Sequence, residues 1–288
     1  MSVLDNILGL GYAGAAVVNG TPLLITGSSA SEKDNLMQSQ AAPSNMLSLA
    51  TGRIPVRNRR TLEVNLTCVG TYAAMQQALY QTVQWRALGL TASPCSMIIN
   101  LANGEGYTST EAWVQSASIS VQENALTQVS FNIITYIWTD SGAAMSTPGI
   151  QQVINPIALV NQPIPHWACI VNNAIYHPGV VTSFSLNMTN DYKFHSLCEA
   201  TVGPPHPRVV TPGRLNLSVQ MTTLALRGAR PSDRATGATF LMGAGPTTTL
   251  VIPLMTRDDR STQSFGEQNG AIRWQSTWKA FGNSPVAS

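Results

Sequence analysis

Charged side chains are scarce in this chain. Only 10% of its residues are Asp, Glu, Lys or Arg, whereas about a quarter is usual for a soluble globular protein. A protein that stays monomeric in water usually keeps a charged surface for solubility. The shortage therefore favours a subunit that covers much of its surface with copies of itself. A neutral secreted β-protein is the plainer alternative.

Lysine is almost absent, with 3 Lys against 13 Arg and a net charge of +2. So small a charge does not by itself indicate nucleic-acid binding. Arginine favours fixed, bidentate contacts over mobile surface charge. Two local clusters could bind phosphate or a neighbour's carboxylates, or could remain solvated loop charges: Arg57, Arg59 and Arg60, and Arg227, Arg230 and Arg234.

Cysteine pairs and long apolar runs are also missing. The four cysteines, at 68, 95, 169 and 198, form no CxxC motif and predict neither a disulfide framework nor a metal site. No uninterrupted apolar stretch reaches the roughly 18 residues of a membrane helix, so we expect no membrane span. Residues 1–19 lack the features of a signal peptide, which predicts synthesis and retention in a reducing cytoplasm.

Recognisable catalytic and ligand-binding motifs are absent too. The closest His–Cys pair, His195 and Cys198, has no further ligands at metal-binding spacing. Residues 9–14 spell GxGxxG, but they follow only a short segment, and the β-rich remainder offers no parallel sheet for a dinucleotide. We therefore expect no cofactor-binding residue and no metal-binding residue.

Carboxylates that could act in pairs are few. Asp258 and Asp259 lie between Arg257 and Arg260, a pattern typical of a charged turn, and Glu199 is the other candidate. Sequence cannot place such acids across a cleft. We expect no catalytic residue and no enzymatic activity. A hydrolase that uses these carboxylates is an alternative hypothesis.

Alternating strand patterns are the strongest positive signal. Apolar residues alternate with Ser, Thr, Asn or Gln in residues 60–68, 115–137, 181–189 and 214–222. A period of two predicts strands with one buried and one wet face. The wet faces are mostly uncharged, which favours a sheet-lined assembly. The second run predicts a hairpin of 113–121 and 127–137 with a turn near Glu123–Asn124.

The remaining segments predict two β-dominated domains, residues 1–150 and 151–288. Residues 71–88 have an apolar face at helical spacing and predict a helix in the first domain. Residues 27–58 read as a long connection, 190–191 as a turn and 203–213 as a loop. The fold class is therefore mainly β.

Two segments carry a family resemblance. Ser183–Asp191 followed by Pro212–Met221 resembles the long hairpin of the bacteriophage tail-tube fold, and Trp113–Val121 with Gln128–Asn132 is similar to another such hairpin. The resemblance implies two tail-tube-like domains, each a β-sandwich or rolled sheet with a flanking helix, although only the first half has a clear helix. It also implies rings whose hairpins pair edge to edge. Two such domains per chain imply a trimer with pseudo-sixfold symmetry, and a hexamer is the other possibility.

The function implied by this resemblance is structural. The chain would be a virion protein that forms a ring of the tail tube or baseplate hub and lines the DNA-conducting channel, without a cofactor. It would be made in the host cytoplasm and would contact other tube, baseplate or sheath proteins. The alternative is a β-sandwich carbohydrate-binding or capsid-decoration module, in which Trp113, Trp274 and Trp278 would stack on a ligand.

Overall fold

The protein is mainly β, and seventeen strands in the described part of the chain form one antiparallel network. The computed structural model describes residues 15–40, 53–85, 90–100, 106–122, 127–140, 167–171, 174–176, 179–195, 207, 209–225, 236–243, 249–257, 262–265, 272–280 and 286–287. The domain boundary expected near residue 150 and the turn expected at 123–124 lie outside these ranges.

The first eight strands are β1 Ala15–Val18, β2 Thr21–Leu23, β3 Ile25–Gln40, β4 Arg53–Val69, β5 Cys95–Asn100, β6 Gly106–Gln122, β7 Gln128–Thr135 and β8 Thr139–Asp140. The other nine are β9 Trp167–Val171, β10 Ala174–Tyr176, β11 Gly179–His195, β12 Val209–Ala225, β13 Thr236–Gly243, β14 Thr249–Arg257, β15 Thr262–Phe265, β16 Ile272–Ala280 and β17 Val286–Ala287.

Seven strands lie side by side at the centre of the network, in the order β3–β4–β7–β6–β11–β12–β16. Alternate residues of the middle strands are buried on one face, which confirms the predicted alternation. In-register rows of apolar side chains form this core, and one of them runs across Cys68, Val129, Ile119, Leu186, Val219 and Trp278. Burial of each large side chain contributes about 1.5–3 kcal/mol.

A short helix covers part of the apolar face. Helix α1 spans Tyr72–Leu79 and continues as a π-helical turn over Tyr80–Gln84. It begins where Thr71 Oγ1 accepts a hydrogen bond from the backbone N–H of Ala74, at 3.1 Å, as an N-cap does. Met75 and Leu79 are fully buried, as the predicted apolar face requires. The last residues of the predicted helix, 86–88, lie outside the described part.

The prediction of a long connection over residues 27–58 was wrong for the described part of that segment. Strands β3 and β4 pair from Ile25 opposite Cys68 to Gln40 opposite Arg53. Every residue from Thr26 to Lys33 is exposed. An edge strand with no buried face has no apolar alternation, and this is why the sequence pattern gave no strand signal.

The predicted turn at Asn190–Asp191 was also wrong. Strand β11 continues through this point to His195, and the hairpin with β12 shifts register between Asn190 and Tyr192, as at a β-bulge. Gly213 lies opposite the bulge, where a Cβ atom would overlap the carbonyl oxygen of Asp191. Strand β12 begins at Val209, so the predicted loop over 203–213 is also partly strand.

A bulge in β6 changes which face of the sheet its side chains occupy. Its pairing with β7 shifts register between Val114 and Ser116. Val114 therefore points into the core together with Ala117. Strict alternation would place Val114 on the same face as Ser116 and Ser118, because an alternating pattern cannot show an extra residue.

The pairing pattern of β1–β8 recurs in β9–β17. The first set pairs β1–β2, β1–β5, β3–β4, β4–β7, β5–β6, β6–β7 and β6–β8. The second set pairs β9–β10, β9–β13, β11–β12, β12–β16, β13–β14, β14 and β15 with β16, and β14–β17. Strands β14 and β15 together take the place of the long strand β6. The two hairpins β3–β4 and β11–β12 even share a register shift near each end.

Candidate functional site

The face of the central strands opposite the core is built from uncharged polar side chains. We call it the polar face and define it by the uncharged polar side chains at outward positions of β4, β7, β6, β11 and β12. These are Asn65, Thr67, Gln128, Ser130, Asn132, Ser116, Ser118, Ser120, Ser183, Ser185, Asn187, Thr189, Asn216, Ser218, Gln220 and Thr222, all of them exposed or half-buried.

Strand register aligns these residues in continuous rows across the strands. One row runs Asn65, Asn132, Ser116, Thr189 and Asn216. The next runs Thr67, Ser130, Ser118, Asn187 and Ser218. The pairing of β6 with β11 joins the two halves of the chain, so the rows cross from one half to the other without interruption.

Side chains within these rows bond to one another. The Asn132 side-chain amide donates to Asn65 Oδ1 at 2.7 Å, and Asn65 donates to Ser29 Oγ on the edge strand at 3.5 Å. Thr67 Oγ1 and Ser130 Oγ lie 3.4 Å apart in the next row. Cross-strand polar pairs of this kind contribute roughly 0.2–1 kcal/mol each. The polar face is thus a surface of fixed hydroxyl and amide dipoles.

The polar face contains an open groove of about 270 Å³. Side chains of β4, β6, β7 and β11 line it, among them Asn65, Ser118, Asn132, Asn187 and Thr189. No lining residue is charged. Such a groove offers hydrogen bonds to water or to a polar surface, but no fixed charge for an ion or a phosphate.

Charges flank the polar rows on both sides: in the β3–β4 hairpin, at Arg214 of β12, and at Lys279 of β16, which is exposed and lies opposite Ser218. Lys33 Nζ lies 2.6 Å from Glu63 Oε2, and an Arg60 nitrogen lies 2.8 Å from Glu32 Oε2. The Arg60 guanidinium also lies 4.4 Å from the centre of the Trp138 ring. These paired charges mark the border of the polar face and do not enter it.

Two of the three tryptophans proposed to stack on a carbohydrate, Trp113 and Trp278, are packed against other residues and do not form an open platform. Trp278 is buried in the core, with 2% of its surface exposed. Trp113 is half-buried and packs edge-on against Tyr192 and Phe194, with ring centres 5.4 and 6.2 Å apart. The side chain of Trp274 lies outside the described residues.

Most of the candidates for chemistry lie outside the described residues. His195 is exposed at the end of β11, where its Nε2 lies 3.0 Å from Thr211 Oγ1. Cys198, Glu199, residues 9–14 and residues 258–259 lie outside the described ranges. Within the described part of the chain, no three His, Cys, Asp or Glu residues cluster as metal ligands would.

Cys68 and Cys95 are buried in the core. Burial raises the pKa of each thiol from its ordinary 9.0 to about 12. A thiol held protonated in this way is a poor nucleophile and a poor metal ligand. The Cys68 thiol donates to the Val129 carbonyl, with Sγ and O 3.2 Å apart.

The sequence showed which residues alternate, but not that Asn65 and Asn132 meet. Each lies at an outward position of its own run, and only the register of β4 with β7 brings them together. The β3 edge was missed altogether because its exposed polar residues carry no periodic signal.

None of the helices in the described part of the chain is both long and apolar enough to cross a membrane. The chain matches no protein-family model, and no curated protein matches it.

Proposed function

We propose that this chain is a structural subunit of a bacteriophage tail that forms a ring of the tail tube or baseplate hub. In this proposal the polar face lines the DNA-conducting channel, and the subunit carries no catalytic chemistry. The observation that carries the proposal is the set of uncharged polar rows, which continues from β4 through β12 and meets a charged residue only at Lys279 of β16.

The physical argument concerns phosphate contacts. A Lys or Arg on a channel wall would bind DNA phosphates and displace counterions, which adds affinity. A wall that conducts DNA must bind it weakly, because every strong contact slows passage. Hydroxyl and amide side chains such as Ser118, Asn132 and Asn187 keep the wall wetted while adding no charge. The low charge of the whole chain accords with a subunit whose other surfaces meet neighbours.

The repeated strand pairing supports the ring geometry. Strands β1–β8 and β9–β17 have the same pairing order, so each chain would supply two similar units, residues 1–150 and 151–288. Three chains would then give a ring of six similar units, the trimer with pseudo-sixfold symmetry. The alternative is a hexamer of whole chains. Further contacts would be with tube, baseplate or sheath proteins of the virion, after synthesis in the host cytoplasm.

Light scattering after size-exclusion chromatography, followed by negative-stain imaging, tests this proposal. We expect rings or short tubes with a central hole, formed by the chain alone or together with its tail partners. A particle that stays monomeric in both settings would contradict it. The number of chains per ring, three or six, follows from the measured mass.

A further inference from the structure

The internal junction between the two halves of the chain defines how a second copy would attach. At this junction, which we call the seam, β11 pairs antiparallel with β6, from Ser183 opposite Gln122 to Thr189 opposite Ser116. Ser185 lies opposite Ser120 within it. The seam is therefore a strand-to-strand contact between the two repeats of the pairing pattern.

Register identifies the counterpart of β11 in the first half. After its first register shift, the β11–β12 hairpin resumes at Ser183 opposite Thr222. The β3–β4 hairpin resumes after its first shift at Gly27 opposite Thr67. Gly27 thus corresponds to Ser183, and two residues further along Ser29 corresponds to Ser185.

The counterpart of β6 follows by the same argument. In the first half, Thr67 pairs with Ser130, and Ser130 pairs with Ser118. In the second half, Thr222 pairs with Gln275, and Gln275 pairs with Thr262. Thr262 of β15 therefore corresponds to Ser118, and Ser264 corresponds to Ser120.

Both counterparts have an open side. In the described part of the chain, β3 pairs only with β4, and β15 pairs only with β16. The residues of β3 from Thr26 to Ser31 are exposed and uncharged. Proteins usually protect a free strand edge with charges or proline, because an open edge is a template for another strand. Lys33 and Glu32 come only after this stretch.

We propose that β3 of one copy pairs antiparallel with β15 of the next, in the register of the seam. Ser29 would lie opposite Ser264, and Ser31 opposite Thr262. The occupant of the β3 edge is thus a second copy of this chain. The proposal extends the ring proposed above, and it assigns the strands and the register through which the ring would close.

The contact between copies should be weaker than the seam within a chain. Phe184 and Leu186 of β11 are buried, whereas the corresponding positions of β3 are Ser28 and Ala30. The apolar side of β11 lies under the π-helical turn, where Thr82 Oγ1 contacts Met188 Sδ at 3.3 Å. That turn belongs to the connection from β4 to β5. The corresponding connection in the second half, from β12 to β13, is shorter. A weaker contact between copies raises the protein concentration that assembly requires.

Cysteine cross-linking tests the register. We would combine Ser29→Cys with Ser264→Cys, purify the assembled protein, confirm its mass by light scattering, and oxidise it mildly before a non-reducing gel. Directly opposed residues of an antiparallel pair are close enough for a disulfide or a short bifunctional reagent. We expect dimer and larger bands that disappear on reduction.

The matched control combines Ser28→Cys with Ser264→Cys. One residue along a strand the side chain points to the opposite face, so this pair should remain at the monomer position. Each single variant measures background from the native cysteines. Ser31→Cys with Thr262→Cys provides a second in-register pair if the first variant does not fold.

The outcomes separate the two proposals. Assemblies that cross-link only through the in-register pairs support the proposed contact. Assemblies that form but do not cross-link, or cross-link equally in the control, overturn the contact while the ring remains. Protein that stays monomeric alone and with tail partners overturns both.

Discussion

The side-chain amide of Asn132 in β7 donates a hydrogen bond to Asn65 Oδ1 in β4, with 2.7 Å between N and O. Neither side chain is charged, and both lie in a row that continues through Ser116 and Thr189 to Asn216. The bond fixes two amide dipoles on an open face of the sheet. It exemplifies how the polar face is ordered without charge.

Placing a cation on the polar face should make the assembly bind DNA. We expect rings of Ser118→Lys to bind duplex DNA in a salt-dependent manner, since each phosphate contact adds about −0.9 to the slope of log affinity against log salt. Fluorescence anisotropy across a salt series measures this slope. The neutral variant Ser118→Gln controls for side-chain size and should behave as wild type. Equal binding by both variants would show that this face does not contact DNA.

Asn190 should be important for stability. It is 4% exposed, and its side-chain amide donates to the carbonyls of Gln81 at 3.5 Å and Val114 at 3.4 Å. Asn190→Ala leaves these buried acceptors without that donor, so we expect the free energy of unfolding to fall by about 1–3 kcal/mol. Urea denaturation measures the change. Asn187→Ala, in the same strand but on the polar face, should cost under about 0.5 kcal/mol; equal losses would refute the role.

Gly213 should not accept a side chain. A Cβ at this position would overlap the carbonyl oxygen of Asp191 at the bulge, so the two strands would have to separate. We expect Gly213→Ala to lower the free energy of unfolding by more than about 2 kcal/mol. Gly27→Ala is the control, because the nearest atom to its Cβ would be Thr67 Cβ at 4.0 Å. Thermal denaturation that ranks the two variants in the opposite order would refute the bulge geometry.

Alkaline pH should destabilise the fold through Cys68. Its pKa is raised from 9.0 to about 12, so between these values the unfolded chain loses the thiol proton and the folded chain keeps it. The free energy of unfolding therefore falls as pH rises, by about 1.4 kcal/mol per pH unit from this thiol. Cys68→Val should show a shallower decline in urea titrations between pH 9 and pH 11. An unchanged slope would show that the thiol ionises freely in the folded chain.

The mainly β class and the two-faced strands could be predicted because apolar and polar residues alternate wherever one face is buried. The burial of Val114 could not be predicted, since a bulge reverses the alternation of faces within β6. Asn190 and Gly213 suggested a turn and a loop because short polar residues and glycine occur at bulges as well. Strand β3 gave no signal at all, because both of its faces are exposed over residues 26–33.

The central claim, that the polar face lines a channel through a ring of subunits, is tested most directly by electron cryomicroscopy of the assembled protein. The account predicts a closed ring whose central hole passes duplex DNA, with Ser118, Asn132 and Asn187 on the wall of that hole. A ring in which these three residues face outward or lie under a neighbour, or a particle without a hole, would contradict it.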